Sequence, residues 1–116
     1  MKAMQSFLFF FYILDQCYSQ CKEDDLGGFL GAISPELLED GQPIDIAIYN
    51  DWREITDPET ISISNIVKKS YDFLIYYEEE YGFNFCETKQ WLLSISNEVV
   101  EKAYECGRKE YSQHRH

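Results

Sequence analysis

Phe7 to Leu14 reads Phe-Leu-Phe-Phe-Phe-Tyr-Ile-Leu, eight residues without a polar break. In water such a run must be covered on more than one side. It is too short to span a bilayer, which takes about 20 residues. It has the length of a secretory hydrophobic region, but its flanks differ from one. Only Lys2 precedes it, and Asp15 and Gln16 stand where small cleavage-site residues belong. Gln16 is also too large to precede a lipidated Cys17. The spacing predicts a helix over about Ala3 to Cys21. Met4, Phe7, Leu8, Phe11, Leu14 and Tyr18 follow one helical face, and Phe10, Ile13 and Cys17 form a second stripe beside it. A helix apolar on two sides is either central in its fold or lends one side to a partner.

The remainder predicts more helices. With 116 residues, the chain has room for one domain, and 45% hydrophobic with 16% aromatic residues supplies a core for it. Asp24 and Asp25 are candidate N-caps for a short helix bearing Leu26, Phe29, Leu30 and Ile33. Gly27, Gly28 and Gly31 inside it suit close packing against a neighbour. Ser34-Pro35-Glu36 is a second helix start, and Glu39-Asp40-Gly41 a turn. Asp45 is placed to cap a helix through about Ile55, with Ile48, Trp52 and Ile55 on one face and an Ile44–Tyr49 staple at its start. Thr56-Asp57-Pro58-Glu59 stops it.

A long helix follows from about Ser62 to Tyr81, on Ile63, Ile66, Val67, Ser70, Leu74, Tyr77 and Tyr81, with Gly82 as its C-terminal stop. The alternation Ile61-Ser62-Ile63-Ser64 also permits a short strand. Another long helix is predicted over about Glu87 to Ser112, with Trp91, Leu92, Ile95, Val99, Ala103 and Cys106 on one face. The expected fold is all-α: one compact bundle over residues 1–116. It has a first apolar helix (1–22), an acidic segment of short helices and loops (23–60) and two long helices (61–113).

The charge is spread unevenly. The chain carries −11 overall, and residues 23–59 hold eleven acids against the single base Arg53. This balance excludes direct nucleic-acid binding, which requires Lys and Arg to neutralise phosphates. It equally disfavours an anionic membrane surface. Acids at helix starts account for part of the segment. The rest repels itself unless a cationic surface arrives. The expected docking face for a basic protein comprises Asp24, Asp25, Glu39, Asp40, Asp45, Asp51, Glu54, Asp57 and Glu59. Tyr49 and Trp52 fit either core packing or the apolar anchors of that face. Glu78-Glu79-Glu80 is a second acidic run, placed against the dipole at a helix end. It reads as a solvated face.

No catalytic or cofactor pattern emerges. Both histidines, His114 and His116, lie in the last three residues. Gly27-Gly28-x-x-Gly31 lacks the lysine and the strand of a phosphate loop. The acids do not follow a calcium-loop pattern. Cys17, Cys21, Cys86 and Cys106 lack the two tight pairs of a zinc site, and read as reduced, mostly buried thiols of a cytoplasmic protein. The expectation is therefore no enzyme, no metal and no cofactor; a small helical enzyme would need a carboxylate desolvated in a pocket.

A small, acidic, one-domain chain of this kind resembles the bacterial immunity proteins encoded beside contact-dependent growth inhibition and other polymorphic toxins. The stretches Asp24-Asp25-Leu26-Gly27-Gly28-Phe29-Leu30-Gly31, Asp40-Gly41-Gln42-Pro43-Ile44-Asp45 and Tyr49-Asn50-Asp51-Trp52 are similar to a motif series in small bacterial proteins. The resemblance implies stoichiometric inhibition of a cognate toxin, a basic nuclease domain whose cleft binds phosphates. It carries over no functional residue. The other reading is an acidic adaptor that binds a protein through the two-faced first helix.

Overall fold

A computed structural model describes residues 1–34 and 46–114. The helices are α1 (Ala3–Cys21), α2 (Asp24–Ile33), α3 (Ile46–Thr56), α4 (Ile66–Tyr81), α5 (Cys86–Leu93) and α6 (Asn97–His114), with a 3-10 turn at Pro58–Thr60. The fold is all-α; the described residues contain no strand. None of the described helices is long and apolar enough to cross a membrane.

α1 is the central element. It packs along α6 and also meets α2, α3, α4, α5 and the 3-10 turn. Phe7, Leu8, Phe9, Phe10, Phe11, Ile13, Leu14 and Cys17 are all buried. Each such side chain contributes about 1.5–3 kcal/mol on leaving water. That burial covers the second stripe of α1 from within the fold, so α1 is the central helix.

α1 and α6 run antiparallel and approach closely. The Gln16 amide donates to the Val99 carbonyl (2.9 Å), and the Tyr12 hydroxyl donates to Glu110 (2.8 Å). A Cβ on Gly107 would lie 3.1 Å from the Phe9 backbone nitrogen, tighter than ordinary contact, so a glycine suits this close approach. Across the other side of α1, Phe10 stacks on Trp52 with ring centroids 4.5 Å apart, and Phe73 meets both rings edge-on. The Trp52 indole N–H donates to the Ser6 hydroxyl (2.8 Å), which itself donates to the Ala3 carbonyl. A wholly buried donor thereby keeps a partner.

Several expectations shift. α1 spans the residues its spacing predicts, whereas the N-cap position of α2 is Glu23 and the expected caps Asp24 and Asp25 lie in its first turn. Of the α2 glycines, only Gly27 meets a close neighbour: a Cβ there would lie 2.9 Å from the Tyr18 ring, whereas Gly28 and Gly31 face open space. In α3, Ile48 and Trp52 are buried, but Ile55 is exposed and Tyr49 and Thr56 take the inner positions. α4 starts at Ile66 rather than Ser62. Asn65 closes the preceding turn by accepting the Ser62 N–H (2.8 Å), so Ile63 stays exposed and no strand forms. Gly82 ends α4 with φ of 76°, its N–H on the Glu78 carbonyl.

The single helix expected over Glu87 to Ser112 is two helices. α5 ends at Leu93, and Ser96 caps α6 by accepting the Val99 N–H (3.3 Å). The break resets the helical phase. Val100, Ala103 and Gly107 turn inward, while Val99 and Cys106 are only half-buried. Pro35, Glu36, Glu39, Asp40, Gly41, Ile44 and Asp45 lie outside the described residues, with the second helix start, the turn, the staple and the Asp45 cap expected of them.

Candidate protein-docking face

The acids of residues 23–59 divide by what they touch. Glu23 and Asp25 face inward along the chain's own backbone. Asn84 N–H donates to Asp25 (2.7 Å), and Glu87 N–H (3.0 Å), Thr88 N–H (3.1 Å) and the Thr88 hydroxyl (2.8 Å) donate to Glu23. Glu78 joins them: it accepts from Phe85 N–H (2.8 Å) and pairs with Lys89 (2.6 Å). The Cys86 N–H goes to the Asn84 side chain (3.1 Å). Every backbone donor from residue 84 to residue 88 thus ends on a side-chain acceptor. Three of the four acceptors are carboxylates placed against the positive end of a helix dipole. Asp25 is therefore a structural tether and not a free docking charge. Glu78 likewise leaves the solvated face expected for it, while Glu79 and Glu80 remain exposed. Asp24 is exposed in the first turn of α2, and the N-cap position is Glu23.

Tyr49 and Trp52 are not anchors. Trp52 is fully buried among Phe7, Phe10 and Phe73, and Tyr49 packs edge-on against Phe7. Asp57 and Glu59 are exposed, but they line a groove of about 730 Å³ together with Met1, Lys2, Gln5 and Arg53. That neighbourhood carries both signs. Glu39, Asp40 and Asp45 lie outside the described residues.

What remains is a face where α3 packs on α4. Asp51 accepts the Tyr77 hydroxyl (2.7 Å), which fixes the register of the two helices. Glu54, one turn further along α3, is exposed. The Tyr76 hydroxyl lies among these acids. Its pKa is raised, first by desolvation and then by the charges of Asp51, Tyr81, Glu80 and Glu54. Tyr76 and Tyr81 rings stand 6.5 Å apart, edge to face, and Tyr81 is 59% exposed. Glu80 of the second acidic run thereby acts on the same tyrosine as Asp51 and Glu54 of α3.

Such a surface presents negative charge around two tyrosines. Tyrosine offers a large, stiff contact area with a polar tip, and is enriched where proteins bind one another. Glu79 and Glu80 were visible in the sequence as an unfavourable run at a helix end. Tyr76 and Tyr81 gave no such signal, because helical spacing alone does not tell an outward tyrosine from an inward one. Among the described residues, no cluster of three or more His, Cys, Asp or Glu side chains is arranged to hold a metal ion. No protein-family model, no curated protein and no solved structure matches this chain.

Proposed function

We propose that this chain is an immunity-type inhibitor, binding one copy of a basic, nuclease-class toxin domain through the α3–α4 face. The observation that carries the reading is that the charges of Asp51, Glu54 and Glu80 all act on Tyr76, whose ring stands 6.5 Å from that of the exposed Tyr81. A nuclease cleft is basic because it must hold phosphates. Carboxylates at Glu54 and Glu80 would stand where phosphates lie, and the tyrosines would supply the apolar contact that holds the complex after encounter. The −11 charge raises the encounter rate with a cationic partner and makes that rate fall with salt. Inhibition of this kind needs neither turnover nor a cofactor.

The test is capture from the native bacterium with the purified chain as bait, washed at low and high salt. A basic domain held one-to-one, and silenced as a nuclease, supports the reading. The doubly reversed variant Glu54→Lys/Glu80→Lys should then lose the complex while keeping its fold. Capture that is indifferent to salt and to this reversal would overturn it.

A further inference from the structure

We infer that Cys17 and Cys21 form a reactive dithiol: exchange with a low-molecular-weight disulfide closes them into a disulfide, and closure releases the α5 N-terminus from Glu23. The two Sγ atoms lie 3.1 Å apart, one helical turn from each other at the end of α1. Cys17 is fully buried and Cys21 is partly exposed. Burial, then the hydrogen bond and charge of Cys21, push the Cys17 thiol above its ordinary range. Cys21, the more exposed of the two, is the sulfur that solution reagents meet first, and Cys17 resolves because it lies 3.1 Å away, its raised pKa making that second step the slower one.

The chemistry balances with the reagent alone. The Cys21 thiolate attacks one sulfur of the small disulfide, whose S–S bond breaks, and the departing thiolate takes up a proton. Cys17 then loses its proton and attacks the Cys21 sulfur, expelling the second small thiol. Two protein thiols are oxidised, and one small disulfide is reduced to two thiols.

Closure must distort the turn that holds the pair. Residues four apart on a helix have Cβ atoms about 5–6 Å apart. A disulfide wants about 3.5–4.5 Å. The last turn of α1 therefore has to tighten. Its end is already held in an uncommon conformation: Lys22 has φ of 43°, in the left-handed region that disfavours a side chain. The next residue is Glu23, whose carboxylate holds Glu87 and Thr88 at the start of α5. Tightening the turn moves the acid that holds Thr88, and the cap of α5 opens.

The experiment uses the full chain with Cys86→Ser and Cys106→Ser, which leaves only this pair. Glutathione disulfide is the probe, with mass spectrometry and backbone amide exchange as readouts. The expected product is a monomer lighter by two hydrogens and free of glutathione. Exchange at Glu87 and Thr88 should rise at least about tenfold, while Ala103 in α6 is unchanged. Adding Cys17→Ser should stop the reaction at a glutathione adduct on Cys21. A persistent adduct with both thiols present, no reaction at all, or a closed disulfide with unchanged exchange at Glu87 and Thr88 would each overturn the inference.

Discussion

Glu23 reaches from the start of α2 to Thr88 in α5, 65 residues away, and takes both its backbone N–H and its hydroxyl. α5 has no side-chain cap of its own at Phe85, so an acid from elsewhere in the chain closes it. The loss of such a cap is worth about 0.5–2 kcal/mol. Glu23→Ala should lower the unfolding free energy measured by urea titration by that amount. Glu23→Gln, which keeps a carbonyl oxygen, should lose less, and Asp24→Ala should stay within about 0.5 kcal/mol of the parent. Equal effects at positions 23 and 24 would show that general charge, and not the α5 cap, sets the difference.

Two glycines in helices should respond to alanine in opposite senses. At Gly107 the added Cβ would lie 3.1 Å from Phe9 N and 3.2 Å from Phe9 Cα, both backbone atoms that cannot turn aside. Gly107→Ala should destabilise by about 1–3 kcal/mol through overpacking of α1 on α6. Gly28 faces open space in α2, so Gly28→Ala should stabilise by about 0.5–1 kcal/mol. Thermal melts of the two variants beside the parent measure both, and a stabilised Gly107→Ala would contradict the close approach.

The Tyr12 hydroxyl gives the fold a dependence on alkaline pH. Its pKa is raised by burial first, then by its hydrogen bond to Glu110 and by the charges of Glu110, Cys106 and Asp15. The protonated form is the one the folded state favours. Its contribution is fully present below the unfolded tyrosine value of about 10 and is lost as pH rises towards the higher folded value. Stability should therefore fall above about pH 10. Tyr12→Phe should show a shallower fall, since that side chain has no proton to lose. Urea unfolding at several pH values for both proteins gives the comparison; parallel curves would exclude Tyr12 as a source.

The docking face separates binding from folding. Tyr81 is 59% exposed, so Tyr81→Ala should change stability by no more than about 0.5 kcal/mol. It should weaken the proposed toxin complex by more than about 1 kcal/mol, as central tyrosine anchors do. Trp52→Ala should do the reverse, removing about 3–5 kcal/mol of stability from the core. Titration calorimetry with the captured partner, paired with unfolding curves, tests the division; a Tyr81→Ala variant that binds as tightly as the parent would remove that residue from the interface.

What is local in this protein was legible before any tertiary contact was known. Period-3.6 spacing and stop signals set α1 at Ala3–Cys21, a short helix bearing Leu26, Phe29, Leu30 and Ile33, and the stop at Gly82, because those depend on neighbours within one or two turns. The all-α fold followed from the same signals. The break after Leu93 was harder to see, since Ser94 and Ser96 interrupt a stripe that otherwise continues, and only the cap by Ser96 ends it.

The acids were the part that sequence alone left undivided. Glu23, Asp25, Asp51 and Glu54 look alike as letters. The chain's path makes the first two backbone caps, the third a partner of Tyr77, and only the last an outward charge. Composition determined that the protein carries strong negative charge. The tertiary structure decided which charges face inward, because a carboxylate's role depends on the donors within hydrogen-bond reach, and here those come from residues 26 to 65 positions away.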